Sequence, residues 1–172
     1  MKIFNTVIMI FFILSLKIFA GELKVFSGEL NSFKSVNDIQ GIPIVTDGDT
    51  IKISNKRIRF HGIDAPEIKQ ICIKNSNEYS CGQEATRALI KKINGQETVC
   101  KVQSAQDRYK RYIGVCFSGI INLNQWMVRN GYAVAYRRYS KDYIEDENYA
   151  KKNKIGLWGG NFIHPEKWRK LN

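Results

Sequence analysis

Histidine is nearly absent from this 172-residue chain, which carries only His61 and His164. None of the four cysteines, Cys72, Cys81, Cys100 and Cys116, falls in a Cys-x-x-Cys pair. Together these absences take away the ligand sets on which zinc sites are built. An apolar run long enough to cross a bilayer is missing too. The longest covers residues 7–16, or 3–16 at its most generous, whereas a spanning helix needs roughly 20 residues. No internal repeat or interdomain linker is visible. Acids are scarce, 16 against 27 lysines and arginines, and the resulting charge of +11 makes a polyanion, either nucleic acid or an anionic surface, the natural partner.

What is present begins with a leader. Lys2 precedes the apolar run and Ala20 stands before Gly21, so residues 1–20 are expected to be a secretory signal, and the mature protein to be secreted or periplasmic. Residues 21–41 mix polar and isolated apolar positions without a clear period and are expected to form an N-terminal arm. The remainder, 42–172, suffices for one domain with its own core. An even number of cysteines in an exported chain predicts two disulfides among three possible connectivities. Cys100 and Cys116 are symmetric about position 108, inside the polar 106–110 turn, so a hairpin there sets them opposite each other. Cys72 and Cys81 then pair by elimination.

The chain is organised around residues 46–67, TDGDTIKISNKRIRFHGIDAPE. Alternation at Thr50-Ile51-Lys52-Ile53 predicts a half-buried strand entered through an Asp-Gly turn, and Arg57-Ile58-Arg59-Phe60 predicts its hairpin partner. With Asn55 and Lys56 as the turn, Asp49 faces Gly62 and shares a face with Asp64. Taken singly, each acid reads first as a solvated loop residue. Two carboxylates converging at one hairpin end, however, call for a cation between them. Arg59 alternates onto the other face and reaches them only if the backbone bends near Gly62.

Further along, Ser80 with Gln83 predicts a helix start, and Ala85, Leu89 and Ile93 its buried stripe. Residues 97–102 and 112–117 predict two strands. Asn122 opens a second helix through Leu123, Trp126 and Met127, and a third is expected over 141–155. Residues 132–139 interleave tyrosines with arginines, a pattern that suits base stacking and phosphate pairing and equally suits a core strand with flanking tyrosines. Trp158, Phe162 and Trp168 are expected to pin the C-terminal tail. The order of elements fits a small closed or partly open antiparallel barrel carrying helices.

Asp47-Gly48-Asp49-Thr50, Arg59, Asp64-Ala65-Pro66-Glu67 and Asp107-Arg108-Tyr109-Lys110-Arg111 together resemble the thermonuclease family, that of staphylococcal nuclease. The similarity spans roughly residues 45–168. It implies an α+β chain with an OB-fold, a five-stranded antiparallel β-barrel with three α-helices, and a calcium-dependent enzyme cleaving phosphodiester bonds in DNA and RNA. By position, Asp49 and Asp64 match the carboxylate ligands of calcium, and the carbonyl of Ala65 matches its backbone ligand. Glu67 matches the general base or water positioner, and Arg59 and Arg111 the phosphate-binding arginines. Arg108 and Tyr109 stand where the family contacts a terminal phosphate, Tyr136 where a base stacks. Ala65 departs from the family's frequent threonine, and Lys110 from its common glycine. A positive φ at Lys110 would cost roughly 1 kcal/mol and bear on the aim of Arg111.

The expectation is therefore a secreted calcium-dependent endonuclease of broad sequence tolerance, monomeric, with DNA and RNA as substrates and no stable membrane association. The alternative is a non-catalytic OB-fold module holding single strands, which has no use for Asp49, Asp64 and Glu67 together, since acids in a phosphate groove weaken binding. A lipid-surface protein would need a basic amphipathic helix, and Glu145, Asp146 and Glu147 make the third helix too acidic for that.

Overall fold

The computed structural model describes residues 38–172. The expected leader, and the arm up to residue 37, lie outside the described residues. The last four residues assigned to the arm, Asp38–Gly41, are strand β1 of the main sheet, antiparallel to residues 98–101. No periodicity announces this strand; its order comes from pairing with a distant partner.

The remaining strands are β2 (Ile44–Asp47), β3 (Thr50–Ile53), β4 (Lys56–Phe60), β5 (Ile63–Asp64), β6 (Cys72–Lys74), β7 (Asn77–Tyr79), β8 (Thr98–Ser104), β9 (Tyr112–Ser118), β10 (Ile121–Asn122) and β11 (Val134–Ala135). The helices are α1 (Cys81–Ile93), α2 (Leu123–Arg129), α3 (Ile144–Lys152) and α4 (Pro165–Leu171), with a 3₁₀ turn at Gly156–Gly159. The main sheet runs β1-β8-β9-β4-β3-β2, with β10 added on β9, while β5 pairs with β11 and β6 with β7 in two small sheets.

This differs in detail from a five-stranded antiparallel barrel with three helices. The sheet has seven strands, β4 and β9 are parallel, and no pairing among the described residues joins β1 to β2. The gap between them is only Ile42 and Pro43, and Pro43 has no N–H with which to continue a ladder. The fourth helix is the expected tail: Pro165 sits in its first turn, where the missing N–H costs nothing. No helix among the described residues is long and apolar enough to cross a membrane.

The core packs against one face of this sheet. Ile51, Ile53, Ile58 and Phe60, from the hairpin's inward alternation, meet Ala85, Leu89 and Ile93 of α1, which form the expected stripe at spacing four, and Leu123 and Met127 of α2. Both disulfides have the expected partners, Cys72–Cys81 and Cys100–Cys116. The second joins residues directly opposite in the β8–β9 register, with Cα atoms 4.0 Å apart.

Two local expectations shift. Ser80 makes no side-chain cap; its carbonyl accepts from Glu84 N–H, and the start of α1 is tied instead by the Cys72–Cys81 bridge. Helix α3 is shorter than expected because Ser140 Oγ accepts from Asp142 N–H, a local turn that competes with helix.

Candidate active site

The β3–β4 hairpin turns on Ser54 and Asn55, both at positive φ (46° and 65°), rather than on Asn55 and Lys56. Two consecutive left-handed residues make the turn whose twist matches the strands. The register moves two residues along, so Asp49 stands opposite Phe60, whose N–H donates to the Asp49 carbonyl at 2.8 Å. A shift of two preserves the face on which every side chain points. Asp47 accepts the Asp49 N–H at 3.0 Å and thereby shapes the β2–β3 turn.

The bend required near Gly62 is present, at φ +72°, where a Cβ would strike Ser140 and Tyr143. It carries β5 back toward β4. Arg59 consequently donates through Nη2 to Asp64 Oδ1 at 2.8 Å and to the Ile63 carbonyl at 3.1 Å, and its Nη1 pairs with Asp49 Oδ1. Asp49 Oδ2 accepts the Ala65 N–H at 2.7 Å. One guanidinium thus lies between the two aspartates, both almost fully buried. Burial pushes Arg59 below its ordinary pKa, and the charge of Asp64 pulls it back. Burial raises Asp47, with Arg59 opposing.

Glu67 is placed by backbone packing. Its carbonyl accepts the Gln70 N–H at 2.7 Å, and α1 presses on it so closely that a Cβ on Gly82 would lie 1.7 Å from that carbonyl oxygen. The neighbouring Cys72–Cys81 bridge holds the helix start there. The Glu67 side chain remains 37% exposed.

The β8–β9 turn supplies Arg108, Tyr109 and Arg111. Lys110 adopts φ +59°, the left-handed conformation expected to be strained for a non-glycine residue. Asp107 compensates locally: its Oδ1 accepts the N–H groups of Tyr109 and Arg111, and its Oδ2 accepts Nε and Nη2 of Arg111 at 2.9 and 2.8 Å. Burial would raise this carboxyl, but these hydrogen bonds outweigh it and hold it below the usual carboxylate range. Arg111 therefore enters the site already aimed, with the Tyr109 ring 5.3 Å from its guanidinium.

Tyr136 follows β11, its N–H donating to the Gly62 carbonyl at 2.8 Å and its ring edge-on to Tyr139 at 4.8 Å. Burial and the nearby Asp64 raise its hydroxyl pKa. Glu147, fully buried on α3, holds this segment by accepting the Ala135 N–H and pairing with Arg137 and Lys151. Asp146, which accepts from Gln125 and pairs with Arg129, and Glu147 are thus structural braces, while Glu145 is exposed.

A single cleft of about 1230 Å³ is lined by Asp49, Arg59, Ala65, Glu67, Arg108, Tyr109, Arg111 and Tyr136. Asp64 does not line this cleft; buried and bonded to Arg59, it lines an adjoining hollow of about 480 Å³ with Tyr136 and Arg138. Of the site residues expected from sequence, the cleft brings together all but Asp64 and the four disulfide-bonded cysteines. Sequence reasoning missed Arg169 of α4, which donates to both oxygens of Asp64 at 3.0 Å and to Glu67 Oε1 at 2.9 Å. No local signal announces a residue 102 positions from its partner.

Asp49, Asp64 and the Ala65 carbonyl are hard oxygen donors of the kind that calcium takes, and Arg59 stands between the two carboxylates. Among the described residues no group of three or more His, Cys, Asp or Glu side chains is arranged around a metal position. A hard ion with loose geometry and water ligands fits such a set; a soft metal does not.

A family model described as staphylococcal nuclease homologue matches residues 57–160, and this chain belongs to that family. The chain is 36% identical over 141 residues to an uncharacterized endonuclease of Escherichia coli O157:H7, covering 77% of this chain and 86% of that protein. It is 33% identical over 146 residues to a micrococcal nuclease of Shigella flexneri, covering 74% and 78%. It is also 33% identical over 123 residues to the succinoglycan biosynthesis protein ExoI of Rhizobium meliloti (strain 1021), where the match covers 70% of this chain and 64% of that protein. The chain thus spans just under two thirds of the Rhizobium protein.

Proposed function

We propose that this protein is an exported, calcium-dependent nuclease that hydrolyses phosphodiester bonds in DNA and RNA with little sequence preference, acting as a monomer with an OB-type fold. The observation that carries the reading is the convergence of Asp49, Glu67, Arg59 and Arg111 on one cleft that also holds Tyr109 and Tyr136. Relatives named as nucleases and endonucleases support it.

A bound calcium ion, held by Asp49, Asp64 and the Ala65 carbonyl, would supply neutralisation of the charge gathering on the phosphate. Glu67 takes a proton from the attacking water. Its Oε1 is engaged by Arg169, which leaves Oε2 for that task. Arg59 and Arg111 pair with non-bridging phosphate oxygens, for which planar guanidinium forks are suited and from which they cannot lose a proton. Tyr109 and Tyr136 offer flat faces to bases. Stacking and phosphate pairing read no base edges, so cleavage is sequence-tolerant.

Export rests on the leader at residues 1–20 and on the two disulfides, which persist in oxidising compartments. The test is digestion of single-stranded DNA, duplex DNA and RNA by the purified protein in chelator, calcium and magnesium. Cleavage abolished by chelation and restored by calcium is expected. Retention of a single strand without cleavage would favour the binding module instead, and chelator-resistant cleavage would remove the ion from the mechanism.

A further inference from the structure

The β2–β3 turn, strands β4 and β5 and the loop after them supply Asp49, Arg59, Asp64 and Glu67, and one further partner arrives from the far end of the chain. Arg169 Nη1 lies 3.0 Å from Asp64 Oδ1 and 2.9 Å from Glu67 Oε1, while its Nη2 lies 3.0 Å from Asp64 Oδ2. A single planar group therefore spans an aspartate that is 1% exposed and a glutamate that is 37% exposed. An ordinary surface pair joins two solvated chains and holds neither. Here one partner is fixed in the core and the other rides on a loop.

The start of the helix that delivers this arginine is anchored, Gln70 Nε2 donating to the Ile163 carbonyl at 2.6 Å and the His164 ring resting on Phe162, but the helix itself has few ties of its own. Pro165 is the only buried residue of α4. Lys170 pairs within the helix to Glu166, and Arg138 reaches Glu166 at 3.8 Å. The fork on Asp64 and Glu67 is the best-formed tie between α4 and the cleft.

Two like charges side by side repel, and a glutamate with three rotatable bonds can swing away into solvent. A cation shared between them removes that tendency and fixes the separation of the two carboxylates. The bond consumes one oxygen of Glu67; among the described residues nothing donates to Oε2. We infer that Arg169 is a positioning residue that holds Glu67 beside Asp64 with one oxygen committed and the other presented to the attacking water. The inference rests on the nuclease reading above.

The test compares wild type with Arg169→Gln, Arg169→Lys and Arg169→Gly on a defined single-stranded oligonucleotide in calcium. In Arg169→Gln, kcat should fall by about tenfold or more with KM within about threefold, because positioning is felt at the reacting water and not in strand binding. Arg169→Lys should recover part of the loss, and added guanidinium ion should raise the rate of Arg169→Gly while leaving Glu67→Gln unmoved. Calcium binding followed by calorimetry without nucleic acid should be unchanged within about threefold in Arg169→Gln, since Asp49, Asp64 and the Ala65 carbonyl all remain.

A variant as fast as wild type or faster would overturn the inference, making Arg169 a surface pair or a plug. So would a loss of rate that tracks calcium binding weakened by about tenfold or more, or a glycine variant that guanidinium does not help. A wild-type protein that leaves every nucleic acid intact would instead bring down the nuclease reading, and this inference with it.

Discussion

Arg59→Gln isolates the electrostatics of the site from its chemistry. The Arg59 side chain is 13% exposed and bonds Asp49, Asp64 and the Ile63 carbonyl together. Removing one partner of a buried ion pair costs about 3–5 kcal/mol, because the charge left behind is uncompensated. Arg169 still covers both oxygens of Asp64, so the exposed cost falls on Asp49, which keeps only the Ala65 N–H and the Thr50 hydroxyl. The lower end of that range, about 3 kcal/mol, is therefore expected. For a domain of this size it corresponds to a fall in Tm of roughly 10–15 °C. Calcium should offset much of it. A ligand at a hundred times its Kd stabilises by about 2.7 kcal/mol, and in the variant the ion no longer competes with a guanidinium for the same acids. The assay is thermal unfolding with and without calcium for both proteins. A variant within about 2 °C of wild type would refute the counter-charge argument, as would a calcium-induced rise no larger than that of wild type.

Two further outcomes follow from the braces behind the cleft. Burial would raise the Glu147 carboxyl, but hydrogen bonds from Arg137 and Lys151 prevail and lower it below 4.5. Its stabilisation is thus complete above that value and lost as pH falls through the lowered one, so Tm should drop below about pH 4.5, and Glu147→Gln should flatten that drop while lowering stability near neutrality. Gly82→Ala would place a Cβ 1.7 Å from the Glu67 carbonyl oxygen and 2.5 Å from its carbon, backbone atoms that cannot step aside cheaply. Urea unfolding should show a loss of about 2 kcal/mol or more with impaired cleavage, and an unchanged midpoint would mean the α1 contact does not hold Glu67.

Much of this site is legible in the amino-acid sequence, for reasons that can be named. Period-two alternation marks β3 and β4, spacing four marks the buried face of α1, and symmetry about position 108 pairs Cys100 with Cys116. These are local signals, carried by the residues that use them. The hairpin register escapes because Ser54 and Asn55 both take positive φ, and sequence does not distinguish that pair from Asn55 and Lys56. The error of two residues leaves every face correct, and the convergence of Asp49 and Asp64 survives it. Strand β1 escapes because its order is borrowed from β8, about 60 residues away. Arg169 escapes for the same reason at greater range. Asp107 is visible as part of a motif without its role, since only the folded turn brings its carboxylate onto Arg111 from two sides.

The central claim, that this cleft hydrolyses a phosphodiester through water activated at Glu67, is tested most directly by single-turnover cleavage with Glu67→Gln beside wild type in saturating calcium. Glu67 is placed by its backbone and its side chain is partly in solvent, so the variant should keep the wild-type Tm within a few degrees and bind the strand as well. Its cleavage rate should fall by about 10²–10⁴, the share of a general base. A folded Glu67→Gln protein that cuts at the wild-type rate would contradict the account.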